Sequence, residues 1–269
     1  ATCEYQIETV FREFDYRISA GDATSDWHTV RVVFPPNIER AQLQLDYPAY
    51  TQRSPETVET LTITVPETTH VRWSLSLDRA VRSASVNLAG QNPVPMDISP
   101  DGLTASFEQV AADSRAYTFT WVEREHGFEF TSPSFYLQVA PDRAPRIELT
   151  SPSRNIYATL GRKIDLAYRG HDDHGLAEAF VVYSVDKIEE QKVAFTPTNA
   201  DNGGDQTIDW DYRSALPDLA EGQAVTFAVE ATDRYPGPDG PHRVRSDLRR
   251  VQFVSREEYL AHVERQKTR

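Results

Sequence analysis

The chain has 269 residues and a formal net charge of −13, with 41 acidic residues against 28 lysines and arginines. This charge argues against nucleic acid or an anionic membrane surface as a partner, because phosphate binding needs clustered lysine and arginine. The length corresponds to roughly two domains of about 100–150 residues each. The single cysteine, Cys3, excludes an intramolecular disulfide and a zinc site built from cysteine pairs.

Apolar and polar residues alternate with a period of two along most of the chain, which predicts many short strands. The predicted strands cover residues 31–35, 41–47, 60–65, 71–77, 83–88, 117–123, 134–140, 163–168, 179–185, 224–231 and 250–254. Turn-forming clusters separate them at 99–102, 151–155, 199–205 and 235–240. Short strands divided by turns in this way are typical of an antiparallel β-sandwich.

One nine-residue phrase occurs three times, each time with apolar residues at its first, third and fifth positions. The copies are "FDYRISAGD" (14–22), "YTFTWVERE" (117–125) and "VTFAVEATD" (225–233). Two further pairs repeat in the same order, namely 35–39 with 144–148 and 78–88 with 173–183. A period of about 100 residues indicates tandem copies of one domain of immunoglobulin size. The predicted fold class is all-β, with tandem immunoglobulin-like antiparallel β-sandwiches and a short C-terminal helix.

The repeats predict four segments. Residues 1–36 hold the C-terminal strands of an incomplete immunoglobulin-like repeat, 37–141 and 142–255 each form a complete sandwich, and 256–269 form a helical tail. The linkers are short and contain proline, so we expect the domains to be joined stiffly and end to end. The apolar faces of the strands in 1–36 need cover. Either they complete an edge of the second domain, or another chain covers them.

The C-terminal sequence "SREEYLAHVERQKTR" predicts a helix. Ser255 followed by Glu258 forms a capping box, and Tyr259, Leu260 and Val263 give a thin apolar stripe. A helix of about 14 residues is marginal by itself in water. We therefore expect it to dock on the sandwich or to begin a longer helix.

The stretch "YRISAGDATSDWHTVRVVFPPNIERAQLQLDYPAYT" resembles a family of large bacterial membrane proteins that carry a domain of unknown function. "APRIEL", "DDHGL" and "VTFAVEATD" resemble the next repeat of that family, and "SREEYL" resembles the start of its long helical region. The resemblance implies a membrane anchor upstream, tandem immunoglobulin-like domains outside the cytoplasm and coiled-coil-like helices downstream. It transfers no catalytic residue. The second repeat departs from the pattern, because residues 121–125 replace the "A-G-D" turn.

The densest polar cluster in the sequence is "HDDHG" at 171–175. Its Asp172 and Asp173, together with Asp233 and Asp239, are candidate ligands of a calcium ion, which takes six to eight oxygen ligands. The phrase "VEATDRYPGP" resembles cadherin-type repeats, whose linkers bind calcium. The linker here keeps only Asp142 of the acidic run that such linkers have. No other cofactor is expected.

The alternative for these acids is structural. Asp172 and Asp173 can cap a turn by accepting hydrogen bonds from nearby backbone N–H groups. The repeated Asp22 and Asp233, with Glu125 in the second copy, fit the same role at the end of a strand. His171 and His174 would add affinity for zinc or nickel only if a third fixed ligand were present.

The four tryptophans divide into two pairs. Trp73 and Trp121 are in phase with apolar neighbours, which predicts core positions. Trp27 and Trp210 are candidates for ligand contact, such as stacking on a sugar. The sequence has no nucleophile motif and no phosphate-binding loop.

These observations predict a non-enzymatic extracytoplasmic module of a larger envelope protein, with a structural or protein-interaction role. We expect a protein partner or self-association, no nucleic acid, and a soluble fragment whose parent is membrane-anchored on the periplasmic or extracellular side. The alternative is a ligand-binding module, either calcium-dependent or carbohydrate-binding. A hydrolase is a third class, for which no pair of carboxylates stands out.

Overall fold

The computed structural model describes residues 4–186, 188–197 and 204–267. Cys3 and most of the predicted turn at 199–205 lie outside this part of the chain. The N-terminal segment forms two small antiparallel ribbons, in which β1 (Phe14–Tyr16) pairs with β4 (His28–Val30) and β2 (Ser19–Ala20) with β3 (Ala23–Thr24). Among the described residues neither ribbon joins a sheet of the second sandwich. The strands therefore do not complete an edge of that domain.

The strand predicted at 31–35 is wrong. Pairing of β4 ends at Val30, and residues 31–35 are irregular. Pro35 and Pro36 follow with no N–H group to donate, and a strand is stable only when it pairs with a neighbour. Phe34 accordingly remains 52% exposed.

The second sandwich contains two sheets. One sheet has the order β11-β12-β8-β5-β6 and the other β10-β9-β13-β15-β7, with β14 beside β13. The strands are β5 (Ile38–Asp46), β6 (Glu56–Val58), β7 (Ile63–Pro66), β8 (His70–Leu77), β9 (Val81–Leu88), β10 (Val94–Pro95), β11 (Asp97–Ile98), β12 (Thr104–Val110), β13 (Arg115–Glu123), β14 (Glu129–Thr131) and β15 (Phe135–Ala140). A short 3-10 helix, Ala49–Thr51, follows β5.

The third sandwich repeats this arrangement. One sheet has the order β16-β18-β21 and the other β17-β24-β22-β19-β20, with β23 beside β22. The elements are β16 (Arg146–Ser151), β17 (Ile156–Ala158), β18 (Leu166–His171), β19 (Glu178–Val185), β20 (Gln191–Phe195), β21 (Gln206–Ile208), α1 (Tyr212–Ala215), β22 (Ala224–Thr232), β23 (Arg243–Arg245) and β24 (Arg249–Phe253).

The two sandwiches share the connectivity that the sequence repeats predict. The repeated phrase forms β13 in one and β22 in the other, and each lies inside its sheet with a short hairpin partner, β14 or β23. Each sheet also contains one parallel pair, β15 with β7 and β24 with β17. The chain therefore contains tandem immunoglobulin-like sandwiches.

Each sandwich has its own apolar core, built from the inward positions of the alternating strands. Trp73, Tyr117 and Phe119 are at most 2% exposed in the second sandwich, and Tyr168 and Phe227 are similarly buried in the third. Trp121 is 4% exposed, so both predicted core tryptophans are confirmed. Burial of such large side chains is the main source of stability in each domain.

The predicted C-terminal helix is α2 (Arg256–Lys267). Its capping box is formed, because the N–H of Ser255 donates to Oε2 of Glu258 and the N–H of Glu258 donates to Oγ of Ser255, both at 3.3 Å. The helix contacts the third sandwich through His262, whose ring lies 4.2 Å from that of Tyr157. Among the residues described here, no helix combines the length and the apolar character that crossing a bilayer requires.

Candidate metal centre at the domain junction

The second and third sandwiches meet where their proline-containing linker passes between them. The N–H of Asp142 in this linker donates a 3.0 Å hydrogen bond to Oε1 of Glu67 in the second sandwich. Tyr50, also from the second sandwich, is 5% exposed and packs edge-on against His174 and Tyr235 of the third, with ring centroids 5.3 and 5.4 Å apart. The junction is thus a packed interface.

Asp142 is the central acid of this junction. Its side chain is only 1% exposed, and its Oδ2 accepts no hydrogen bond from any described residue. This oxygen lies 3.2 Å from Nδ1 of His242, and Oδ1 lies 3.9 Å from Nε2 of His174. Burying a carboxylate without a full set of hydrogen-bond donors costs free energy. A positive charge beside Asp142 would offset this cost.

Asp233 and His242 flank one side of Asp142. Oδ1 of Asp233 accepts hydrogen bonds from the N–H groups of Tyr235 and His242, at 3.1 and 2.9 Å. Its Oδ2 lies 2.7 Å from Nδ1 of His242. The predicted turn-forming role of Asp233 is therefore confirmed, and the same side chain keeps one oxygen directed at the imidazole.

Asp173 and His174 flank the other side. Nε2 of His174 lies 4.0 Å from Oδ2 of Asp173, close to its 3.9 Å distance from Asp142. The neighbouring Asp172 caps the turn, because its Oδ1 accepts the N–H of His174 at 2.9 Å. We call Asp142, Asp173, His174, Asp233 and His242 the junction cluster.

The crowding of acidic side chains in and beside the junction cluster shifts the pKa values of its members. Burial, followed by the negative charges of Asp173, Asp233 and Asp172, raises the pKa of Asp142 to about 7, although His242 opposes this. Burial likewise raises the pKa of Asp172. Burial by itself would lower the pKa of His242, but the hydrogen bond to Asp233 and the charges of Asp233 and Asp142 raise it.

A cleft of about 320 Å³ opens beside the cluster between the two sandwiches. Asp173 and His174 line it, together with Thr51 and Gln52 of the second sandwich and Arg234 of the third. The side chains of Asp173 and His174 are 36% and 17% exposed, respectively. Solvent therefore reaches the cluster from this side, while Asp142 stays covered.

Of the four acids predicted as metal ligands, Asp173 and Asp233 each belong to a group of converging ligands that includes Asp142, whereas Asp172 caps the turn beside them. Asp239 is exposed and belongs to no group of converging ligands among the described residues, because it lies in the turn closed by the hydrogen bond from Gly240 to Gly237. His171 is also exposed, at the end of β18.

The sequence patterns do not predict Asp142 or His242 as metal ligands. The signal for Asp142 was its position in the linker. His242 carried no comparable local signal, since it follows Asp233 across an irregular turn.

The second sandwich has a simpler version of the same turn. Glu123 accepts the N–H groups of Glu125 and His126, both at 2.6 Å, and lies 3.4 Å from Nδ1 of His126. The capping acid is therefore Glu123, two residues before the predicted Glu125. Asp22 lies in an exposed turn, as expected for a turn-former.

The two tryptophans predicted to contact a ligand differ. Trp27 is 63% exposed, with the guanidinium of Arg17 4.9 Å from its ring centre. Trp210 is 4% exposed, so its expected exposure is wrong. The alternation of β21 continues beyond the strand, and Ile208, Trp210 and Tyr212 all point into the core.

No protein-family model matches the sequence, and no curated protein matches it. Solved structures with similar folds include the fibronectin(III)-like modules of Clostridium thermocellum CbhA, with 15% identity, a TM-score of 0.28, and coverage of 79% of this chain and 94% of that one. A titin A168–A169 structure has 8% identity, a TM-score of 0.28 and coverage of 82% and 99%. The structure of the first two immunoglobulin domains of DIP-gamma has 11% identity and a TM-score of 0.26, with coverage of 72% of this chain and 94% of that one. At these TM-scores the likenesses indicate no ligand or partner.

Proposed function

We propose that the chain is a non-enzymatic structural and protein-interaction module of a larger bacterial envelope protein. The observation that carries the proposal is the packed junction, at which the linker and Tyr50 connect the two complete sandwiches. A spacer needs this property, because a loosely tethered pair of domains sets no distance between the elements at its ends.

Tyr50 contacts both sandwiches at the junction. Its ring contacts His174 and Tyr235, and its hydroxyl donates to the carbonyl of Glu67 at 3.3 Å. Glu67 in turn accepts the N–H of Asp142. The linker is thereby tied to the second sandwich and packed against the third.

A protein partner or self-association is supported by the N-terminal segment. Phe11, Ile18 and Trp27 are 81%, 63% and 63% exposed, respectively. They lie on a segment whose ribbons join neither sandwich in the described part of the chain, and exposed apolar surface of this kind marks protein-binding sites where it is contiguous. The strongly negative net charge favours a protein over nucleic acid as that partner.

Small-angle scattering tests the spacer role. The chain should scatter as an elongated particle that a single orientation of the two sandwiches fits. Tyr50→Ala should broaden the distance distribution, since it removes the ring at the junction. Tyr136→Ala, on the exposed face of β15, is the control and should leave the curve unchanged. Wild-type data that require many domain orientations would count against the proposal.

The extracytoplasmic location rests on the family resemblance of the "YRISAGD" and "YPAYT" phrases. It is tested in cells that produce the parent protein with an epitope beside this module. Protease added outside the cytoplasmic membrane should remove the epitope while a cytoplasmic marker survives. Protection of the epitope until the membrane is lysed would contradict the location without affecting the spacer test.

A further inference from the structure

We propose that the junction cluster binds one divalent transition-metal cation of the zinc class through Oδ2 of Asp142, Oδ2 of Asp233 and Nδ1 of His242. This goes beyond the spacer role, and it can be tested on the chain alone whether or not a partner protein exists.

The three ligand atoms converge closely enough to share one ion. Asp142, Asp233 and His242 each offer one ligand atom within 4.8 Å of those of the other two. Nδ1 of His242 is 3.2 Å from Oδ2 of Asp142 and 2.7 Å from Oδ2 of Asp233. Ligand atoms about 2.1 Å from a tetrahedral zinc lie roughly 3.4 Å apart. A small widening of the Asp233–His242 contact therefore admits the metal, which displaces the proton held there.

The ligands are held in place by their surroundings. Two backbone N–H groups fix Oδ1 of Asp233 and leave its Oδ2 directed at the cluster. The ring of Tyr235 stacks on His242 at 5.1 Å and 12°, and Glu67 anchors the backbone of Asp142. Such supporting contacts orient the ligands of protein metal sites and raise metal affinity.

The buried, incompletely hydrogen-bonded Asp142 separates this cluster from an ordinary group of surface acids. Its side chain is 1% exposed, and the one described cationic group beside its Oδ2, the imidazole of His242 at 3.2 Å, is not aligned for a hydrogen bond. The carboxylates of Asp173, Asp233 and Asp172 add their negative charges around it. A bound cation would offset this concentration of negative charge.

The ligand chemistry selects the metal. Calcium and magnesium take oxygen ligands, whereas imidazole suits zinc and its neighbours in the first transition row. One imidazole and two carboxylates leave a fourth position open, on which water or a ligand from the cleft can bind. Asp173 and His174, which line that cleft and face the other oxygen of Asp142, mark the access route.

Isothermal titration with zinc tests the proposal on the untagged full chain carrying Cys3→Ser, so that no thiol competes. The expected result is one ion per chain and a Tm that rises with zinc and falls back with chelator. Calcium and magnesium should give neither effect at the same concentration. Absence of zinc binding, or equal binding of calcium, would overturn the proposal.

Variants test the ligand assignment. Asp142→Asn and His242→Phe should each weaken zinc binding by more than about 100-fold, because loss of an outer contact alone costs roughly 10- to 100-fold. Asp142→Asn keeps the shape and removes a buried charge, so its Tm without metal should not fall. His174→Phe should weaken binding by no more than the roughly 10- to 100-fold that loss of an outer contact costs. A larger loss for His174→Phe than for His242→Phe would overturn the assignment.

His126→Phe supplies the matched control. His126 stands beside Glu123 at 3.4 Å in the equivalent hairpin of the second sandwich, and its ring stacks on Phe128 at 6.2 Å. The group formed by His126 and Glu123 has no buried third residue comparable to Asp142 among those that the structure describes. Zinc binding should be unchanged in this variant, and a loss equal to that of His242→Phe would contradict the site.

Discussion

The indole Nε1 of Trp73 donates a 3.1 Å hydrogen bond to the hydroxyl of Tyr117. Trp73 lies on β8 and Tyr117 on β13, so this bond joins the two sheets of the second sandwich through its core. The rings meet edge-on, with centroids 5.9 Å apart at 77°. The Tyr117 hydroxyl also donates to the carbonyl of Leu61, and one buried group thus satisfies two others.

Tyr117→Phe should destabilise the second sandwich by about 1–3 kcal/mol, because it leaves the Trp73 donor and the Leu61 acceptor buried without a partner. Urea denaturation measures the change. Tyr136→Phe is the matched control on neighbouring β15, where the side chain is 44% exposed, and it should change the free energy of unfolding by less than about 0.5 kcal/mol. Equal effects of both variants would contradict the role assigned to Tyr117.

Acrylamide should quench one tryptophan strongly and the other three weakly. Trp27 is 63% exposed, whereas Trp73, Trp121 and Trp210 are 2–4% exposed. Trp27→Phe should therefore remove the quenchable part of the emission, and Trp210→Phe should not. A quenchable component that survives Trp27→Phe would show that a second indole is open. The same pair of variants tests the carbohydrate alternative, since a stacked sugar would change the emission of Trp27 only.

The sequence predicted the sandwiches well and the site only in part, and the reason is the range of the interactions involved. Strands such as β13 and β22 depend on alternation over nine residues, which is visible locally. Ligand convergence at the junction depends on distant segments, because Asp142 comes from the linker and His174 and His242 come from two separate turns of the third sandwich. The predicted exposure of Trp210 is wrong because the alternation of inward-facing residues continues beyond the end of β21. In the second sandwich the capping acid is Glu123 and not Glu125, because the backbone N–H groups of residues 125 and 126 lie against the Glu123 carboxylate, a contact that the repeated phrase does not predict.

Gly102→Ala should destabilise the second sandwich far more than Gly90→Ala. Both glycines have positive φ, +78° and +81°, so each alanine costs about 1–2 kcal/mol in backbone strain. A Cβ on Gly102 would also lie 2.6 Å from the carbonyl oxygen of Val81, whereas nothing lies within 4 Å at Gly90. The total for Gly102→Ala should be on the order of 3 kcal/mol or more. Thermal melts that rank the two variants equally would contradict the close approach.

Glu230→Gln should remove an acid-sensitive part of the stability of the third sandwich. Burial alone would raise the pKa of Glu230, but hydrogen bonds from Lys192, Arg245 and Arg243, at 2.6–2.7 Å, lower it from 4.5 to about 2. A carboxyl whose pKa is depressed on folding stabilises the protein above its unfolded pKa and loses this contribution as the pH falls through its folded pKa.

The wild-type free energy of unfolding should accordingly decline by on the order of 3 kcal/mol through this group as the pH falls from above 4.5 towards about 2. Glu230→Gln should lack that component of the slope and be less stable at neutral pH, since three cations lose a buried acceptor charge. Glu59→Gln is the control, because its pair with Arg40 is exposed and contributes little. Urea titrations at several pH values measure both quantities. If the slopes of Glu230→Gln and wild type coincide, Glu230 does not hold the charge assigned to it.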